Sequence, residues 1–237
     1  MKTGSPAPPT IIAARFPGRP AGRSGAQTRA RIVQAAASMF ALHGFHNVSL
    51  KEIAGACGIT GPAIYNHFAS KDLLYIETVC TMWAEIAQAI EGPLGADLPL
   101  DAIVNRVLDT FVELYRDDGV LAKLGLEARL ELARDGERFA PIAAAMHRVE
   151  AMFTEAVARG KQAGELPADT DVEEAGPLLM QLVMSGLAGR TLAAPSEVEF
   201  MRSIEAFRML WRSGRAAAER PQLSLVSTKA KAVIPPL

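Results

Sequence analysis

The chain has 237 residues, is 49 % hydrophobic and carries a formal net charge of −1. That is too apolar for a disordered polyelectrolyte and long enough for one large domain or two modest ones. Two cysteines, Cys57 and Cys80, both at apolar helical positions, argue against a disulfide framework, and no apolar run is long enough to span a bilayer.

The near-neutral total hides an asymmetry. Residues 1–71 hold eight basic side chains against the single acid Glu52, whereas the remainder holds 17 basic and 25 acidic residues. One end attracts phosphate and the other repels it. Residues 1–25 are rich in Pro, Gly, Ala and Arg, and are expected to form a disordered basic arm. Their prolines interrupt any signal-peptide-like apolar stretch, so a cytoplasmic location is expected.

Helical periodicity begins at about Ala26 and runs to His43, with Ile32, Ala36, Met39 and Phe40 as its inward stripe. Ser49 and Glu52 then form a capping box ahead of Leu50, Ile53, Ala54 and Cys57. Gly58 suits a left-handed helix end, and Thr60 with Pro62 starts another helix over about Gly61 to His67. Ile64 and Phe68 point inward there, leaving Ala63, Tyr65, Asn66 and His67 outside. Ser70 caps a fourth helix, from about Lys71 to Ile90, that should stop before Gly92-Pro93. Further helices are expected at about 100–117, 119–134, 141–163, 172–192 and 196–213, with no convincing strand, followed by a mobile tail over 215–237.

Two short helices at a glycine turn, with a polar and aromatic outer face on the second, read as a helix-turn-helix that places one helix in the major groove of DNA. The span from about Thr28 to Ile76 also resembles the TetR family of bacterial transcriptional regulators. The resemblance is carried by Ala36, Phe40, Gly44 and Phe45, by Ile53-Ala54, and by Ile64, Tyr65, His67, Phe68, Ser70 and Lys71. It implies an all-α fold of about nine helices. Residues 26–71 would be a DNA-binding head, and residues 72–214 a larger ligand-binding and dimerisation domain.

By that resemblance, Tyr65 and His67 match positions that touch the DNA backbone and nearby bases, and Lys71 matches a phosphate contact. Ser49 and Thr60 offer hydroxyls and helix starts to phosphates, and Asn66 has the chemistry to pair with adenine. Many relatives carry a basic or long polar residue where this chain has Gly61. The Gly61-Pro62-Ala63 edge is therefore bare, and base readout should lean on van der Waals contact with thymine methyls and on DNA shape. Arg23, Arg29 and Arg19 are candidates for the minor groove or flanking phosphates. The competing readings are a Tyr65 ring packed on the head's core, a surface His67 and a merely solvated arm.

In the C-terminal part, the expected ligand-facing residues are Trp83, Ile86, Phe111, Tyr115, Leu124, Met146 and Phe153, with Glu127 as a polar member. Such a stripe is equally the signature of plain core. By the same resemblance, the last two helices, carrying Leu179, Leu182, Val183 and Gly186 with Ile204, Phe207 and Trp211, should pair two copies into a homodimer. The expected partners are an operator duplex and a small apolar effector such as an acyl-CoA, a fatty acid or a xenobiotic. No cofactor is expected. An enzyme is disfavoured because His43, His46, His67 and His147 lack metal-ligand spacing and no nucleophile elbow or phosphate loop occurs. A constitutive or architectural DNA-binding protein without a sensor role remains the alternative.

Overall fold

The computed structural model describes residues 25–115, 119–193 and 197–218, which form nine α-helices and no strand among the described residues. In chain order they are α1 (Gly25–His43), α2 (Leu50–Ala56), α3 (Gly61–Tyr65), α4 (Lys71–Gly95) and α5 (Leu100–Tyr115), then α6 (Val120–Arg134), α7 (Ala140–Gln162), α8 (Val172–Ala193) and α9 (Glu197–Ala218). The all-α expectation holds. Arg19, Arg23 and residues 219–237 lie outside the described residues, whereas residues 215–218, expected as the start of a mobile tail, continue α9.

The head is built by local chemistry. Ser49 accepts from the Glu52 N–H at 3.3 Å, and Glu52 Oε2 accepts from both the Ser49 N–H (2.8 Å) and hydroxyl (2.7 Å), which closes the capping box. Those two bonds, the hydroxyl's first, hold the Glu52 carboxyl below the usual carboxylate range. The cap is therefore intact above that range and fades as pH falls through the lowered value. Ser49→Ala is expected to cost about 1 kcal/mol; an unchanged urea midpoint would argue against the box. Gly58 turns the chain at φ +65°, and Thr60 caps α3 by accepting from the Ala63 N–H at 3.3 Å. The buried residues Ile32, Phe40, Ile53, Ile64 and Phe68 bind the three helices together.

α4 is the spine. It packs on α1 at the head end and on α5, α6 and α7 beyond it, and α8 lies against α7 and carries α9. Its end corrects the sequence expectation: the helix passes Ile90 and takes Pro93 into its last turn, ending at Gly95. Buried Leu94 anchors that turn, and the Arg159 guanidinium of α7 donates to the Leu94 carbonyl. Burial of Leu94 outweighs the proline's lost N–H and its steric penalty, and the Arg159 donor satisfies a carbonyl left open at the helix end. α3 is shorter than expected because Asn66, His67 and Phe68 close onto the Ala63 and Ile64 carbonyls as a turn.

The residues expected to pair α8 and α9 across a dimer divide between core and surface within the chain. Leu179, Val183 and Ile204 are buried within the chain, and Phe207 and Trp211 pack half-buried against the same core. Leu182 alone of that set is exposed, and the surroundings of Gly186 lie outside the described residues. Among the described residues the outward apolar side chains are Leu178 and Leu182 on α8 with Val198, Met201, Met209 and Leu210 on α9.

Candidate nucleic-acid interface

α3 presents its outer face to solvent. Tyr65 is 58 % exposed, Pro62 and Asn66 are exposed, and Gly61, Ala63 and His67 are half-buried. Tyr65 shares a shallow cleft with Asn47, Ser49, Lys51, Ser70 and Lys71, so the first turns of α2 and α4 open onto the same surface as α3. The Thr60 oxygen accepts within its own cap, which leaves its hydroxyl proton available outward. The Ser49 hydroxyl gives its one proton to Glu52, so in this arrangement it has none for a phosphate.

The head's basic side chains are turned to internal use. Arg29 bonds both carboxylate oxygens of Glu77 and the His67 carbonyl, and lies 4.0 Å over the Phe68 ring. It therefore ties α1 to α4 within the head instead of extending with the arm. Arg31 donates to the Cys57 carbonyl at 2.7 Å. Lys71 donates to the Phe45 carbonyl at 2.9 Å and stands 4.4 Å over the Phe45 ring, leaving at most part of its donor set for a phosphate. Lys51, exposed on α2, is the basic side chain of the described head that carries none of these contacts.

The interior of the larger part holds Trp83 and Ile86 of α4, Phe111 of α5, Leu124 of α6 and Phe153 of α7, all buried, with Met146 half-buried. The Trp83 indole N–H is buried without a hydrogen-bond partner. The Tyr115 side chain lies outside the described residues. Glu127 does not join this interior: its carboxylate reaches the head and accepts from the Phe45 N–H at 2.8 Å. Burial pushes the Cys57 and Cys80 thiols above their ordinary range, which keeps them protonated and poor nucleophiles.

Sequence reasoning misses the joint where head and body meet. Phe45 sits among Phe40, Tyr75 and Phe139, with ring centroids 4.7 Å from Tyr75 and 5.5 Å from Phe139. Arg138 forks onto both Asp72 oxygens at 2.6 and 2.9 Å and lies over the Phe45 and Phe139 rings. The Tyr75 hydroxyl is buried without a partner, and burial, then Glu127 and Glu131, raise its ionisation far beyond the usual range. Among the described residues no group of side chains could hold a metal ion, and no helix is long and apolar enough to cross a membrane.

A capped pair of short helices, with the second turned outward and mounted on a long spine, defines a helix-turn-helix transcriptional regulator. The family of bacterial regulatory proteins of the tetR type matches residues 32–78. The regulator UidR of Escherichia coli K12 is 31 % identical over 170 residues, which cover 68 % of this chain and 80 % of that protein. The chain belongs to the TetR family of bacterial transcriptional regulators. The fold is shared with the fatty acid degradation regulator FadR of Bacillus halodurans, at TM-score 0.67 and 17 % identity over 80 % of this chain and 96 % of that one. It is also shared with FadR of Bacillus subtilis, solved in complex with stearoyl-CoA, at TM-score 0.62 and 19 % identity over 75 % and 96 %.

Proposed function

We propose that this regulator is a ligand-responsive repressor that binds a palindromic operator as a homodimer and is released by a small apolar molecule. Residues 26–71 read DNA, and residues 72–214 sense the ligand and pair the subunits. The outward face of α3, set by the Thr60 cap and the Gly58 turn, carries the DNA half of this reading. Pro62 and Ala63 meet thymine methyls, Tyr65 and Asn66 supply polar contacts, and Lys71 and the Thr60 hydroxyl face phosphates.

So short a reading helix needs a second copy about 34–36 Å away to gain specificity. The exposed apolar residues of α8 and α9, with an open depression on α9 lined by Val198, Met201, Ala206 and Met209 and by the charged Arg202 and Glu205, support pairing through that face. We assign the effector site to the surroundings of Trp83, Ile86, Phe111, Leu124 and Phe153, buried side chains that suit an acyl chain, with the unpartnered Trp83 N–H suited to one acceptor group. The FadR fold holding stearoyl-CoA favours that chemical class.

The test is selection of DNA from a random-sequence pool with the full chain, followed by footprinting and gel shift with stearoyl-CoA and free stearate. Two symmetric half-sites one helical turn apart, released by either lipid, are expected. No enriched sequence would sink the operator reading, and binding that no apolar probe releases would favour a constitutive binder. Because Arg29, Arg31 and Lys71 are bonded internally, the arm should supply much of the attraction to phosphate. Removing residues 1–24 should then flatten the dependence of log K on log salt by about 0.9 for each phosphate the arm neutralises; an unchanged slope would refute the arm's role.

A further inference from the structure

The turn between α1 and α2 is gripped by side chains from two different helices, α4 and α6. The Phe45 N–H donates to Glu127 Oε1 of α6 at 2.8 Å, across 82 residues of sequence. The Phe45 carbonyl accepts from Lys71 Nζ of α4 at 2.9 Å. One helical turn along α6 from Glu127, Glu131 is 2 % exposed and stands 3.1 Å from His46 Nε2 while also pairing with Arg134. Gly44, at φ +78°, lets the backbone come this close: a Cβ there would lie 2.9 Å from Glu127 Oε1.

We propose that Phe45 is the point at which the head reads the position of α6 relative to α4, with Glu127 and Glu131 as positioning residues for DNA binding. A residue whose backbone is bonded to side chains of two helices at once follows a large displacement of one of them only by straining or releasing its bond to the other, because hydrogen bonds weaken steeply with length and angle. A displacement of α6 against α4 therefore converts into rotation or release of the helix-turn-helix, without passing along α4 alone. Neither Glu127 nor Glu131 need touch DNA or effector for this. The inference rests on the family assignment and does not depend on the identity of the effector.

The full chain with Glu127→Ala, and with Glu127→Gln as the conservative comparison, tests it. Amide hydrogen exchange at Phe45 and His46, affinity for a duplex enriched by the wild-type chain, and far-UV circular dichroism are measured together. Glu127→Ala is expected to speed exchange at Phe45 at least tenfold and weaken DNA binding about five- to tenfold at unchanged helicity. Glu127→Gln keeps an oxygen acceptor and should stay within twofold on both. Exchange and affinity of Glu127→Ala both within twofold of wild type would overturn the proposal, as would a Glu127→Gln variant as impaired as Glu127→Ala. Should Glu127→Ala lose helicity, Glu127→Asp takes its place: it keeps the charge but draws the acceptor back by one methylene from the Phe45 N–H. DNA binding weakened threefold or more by that change supports the proposal, and a smaller effect overturns it. Failure of the wild-type chain to enrich any duplex would count against the operator reading, and the exchange measurement would still decide the grip.

Discussion

Phe45→Ala is expected to destabilise the chain by about 3–5 kcal/mol, the cost of removing a fully enclosed aromatic ring. The ring touches Phe40, Tyr75, Phe139 and His46 and lies beneath Lys71 and Arg138, so its removal empties the meeting point of α1, α4 and the start of α7. Phe40, Tyr75 and Phe139 come from separate parts of the chain, so the site cannot collapse by the shift of one side chain. Urea unfolding of the full chain measures it, and a change below about 1 kcal/mol would show that the joint is far looser than its geometry. Phe45→Leu, which keeps most of the volume, should cost roughly half as much.

The second large effect is at the crossing of α7 and α8. A Cβ on Gly176 would run into the Thr154 Oγ1 and Cα atoms and lie 2.7 Å from the Thr154 backbone nitrogen. A hydroxyl can rotate away but a backbone cannot, so the two helices must separate. Gly176→Ala should therefore cost about 2–3 kcal/mol by overpacking, even after the gain of up to about 1 kcal/mol in helix propensity. Gly125→Ala on α6 is the contrasting case. Its nearest neighbour is the flexible Met82 end at 4.0 Å, so there the propensity gain should prevail and stabilise by about 0.5–1 kcal/mol. Thermal unfolding of both variants checks the pair: equal signs would refute the close crossing.

The helix-turn-helix is legible in the sequence because its determinants are local. Ser49 and Glu52, Gly58, Thr60 and Pro62 each act within four residues, and the structure places each as a cap or turn. The end of α4 is not legible, because the determinants there are distant: buried Leu94 and the Arg159 donor overrule Gly92-Pro93. The outward face of α8 and α9 escapes for another reason. Periodicity identifies an apolar stripe without saying which neighbour covers it, and Ile204 and Val183 go to the chain's own core. Glu127 reads as a pocket residue because α6 contributes to both the interior and the joint, and nothing near it in sequence announces Phe45, 82 residues away. Arg29 reads as part of the arm because its partner Glu77 lies 48 residues on.

The chain holds only two tryptophans, and they occupy unlike settings: Trp83 is enclosed in the body's interior and Trp211 is half-buried on α9. Excited at the red edge of its absorption, the protein thus carries its own optical reporter. Enclosed Trp83 should emit toward the blue, and Trp211→Phe would isolate that signal. A titration of candidate effectors could then be followed in unlabelled protein, with no DNA present, by the quenching or colour change of one indole.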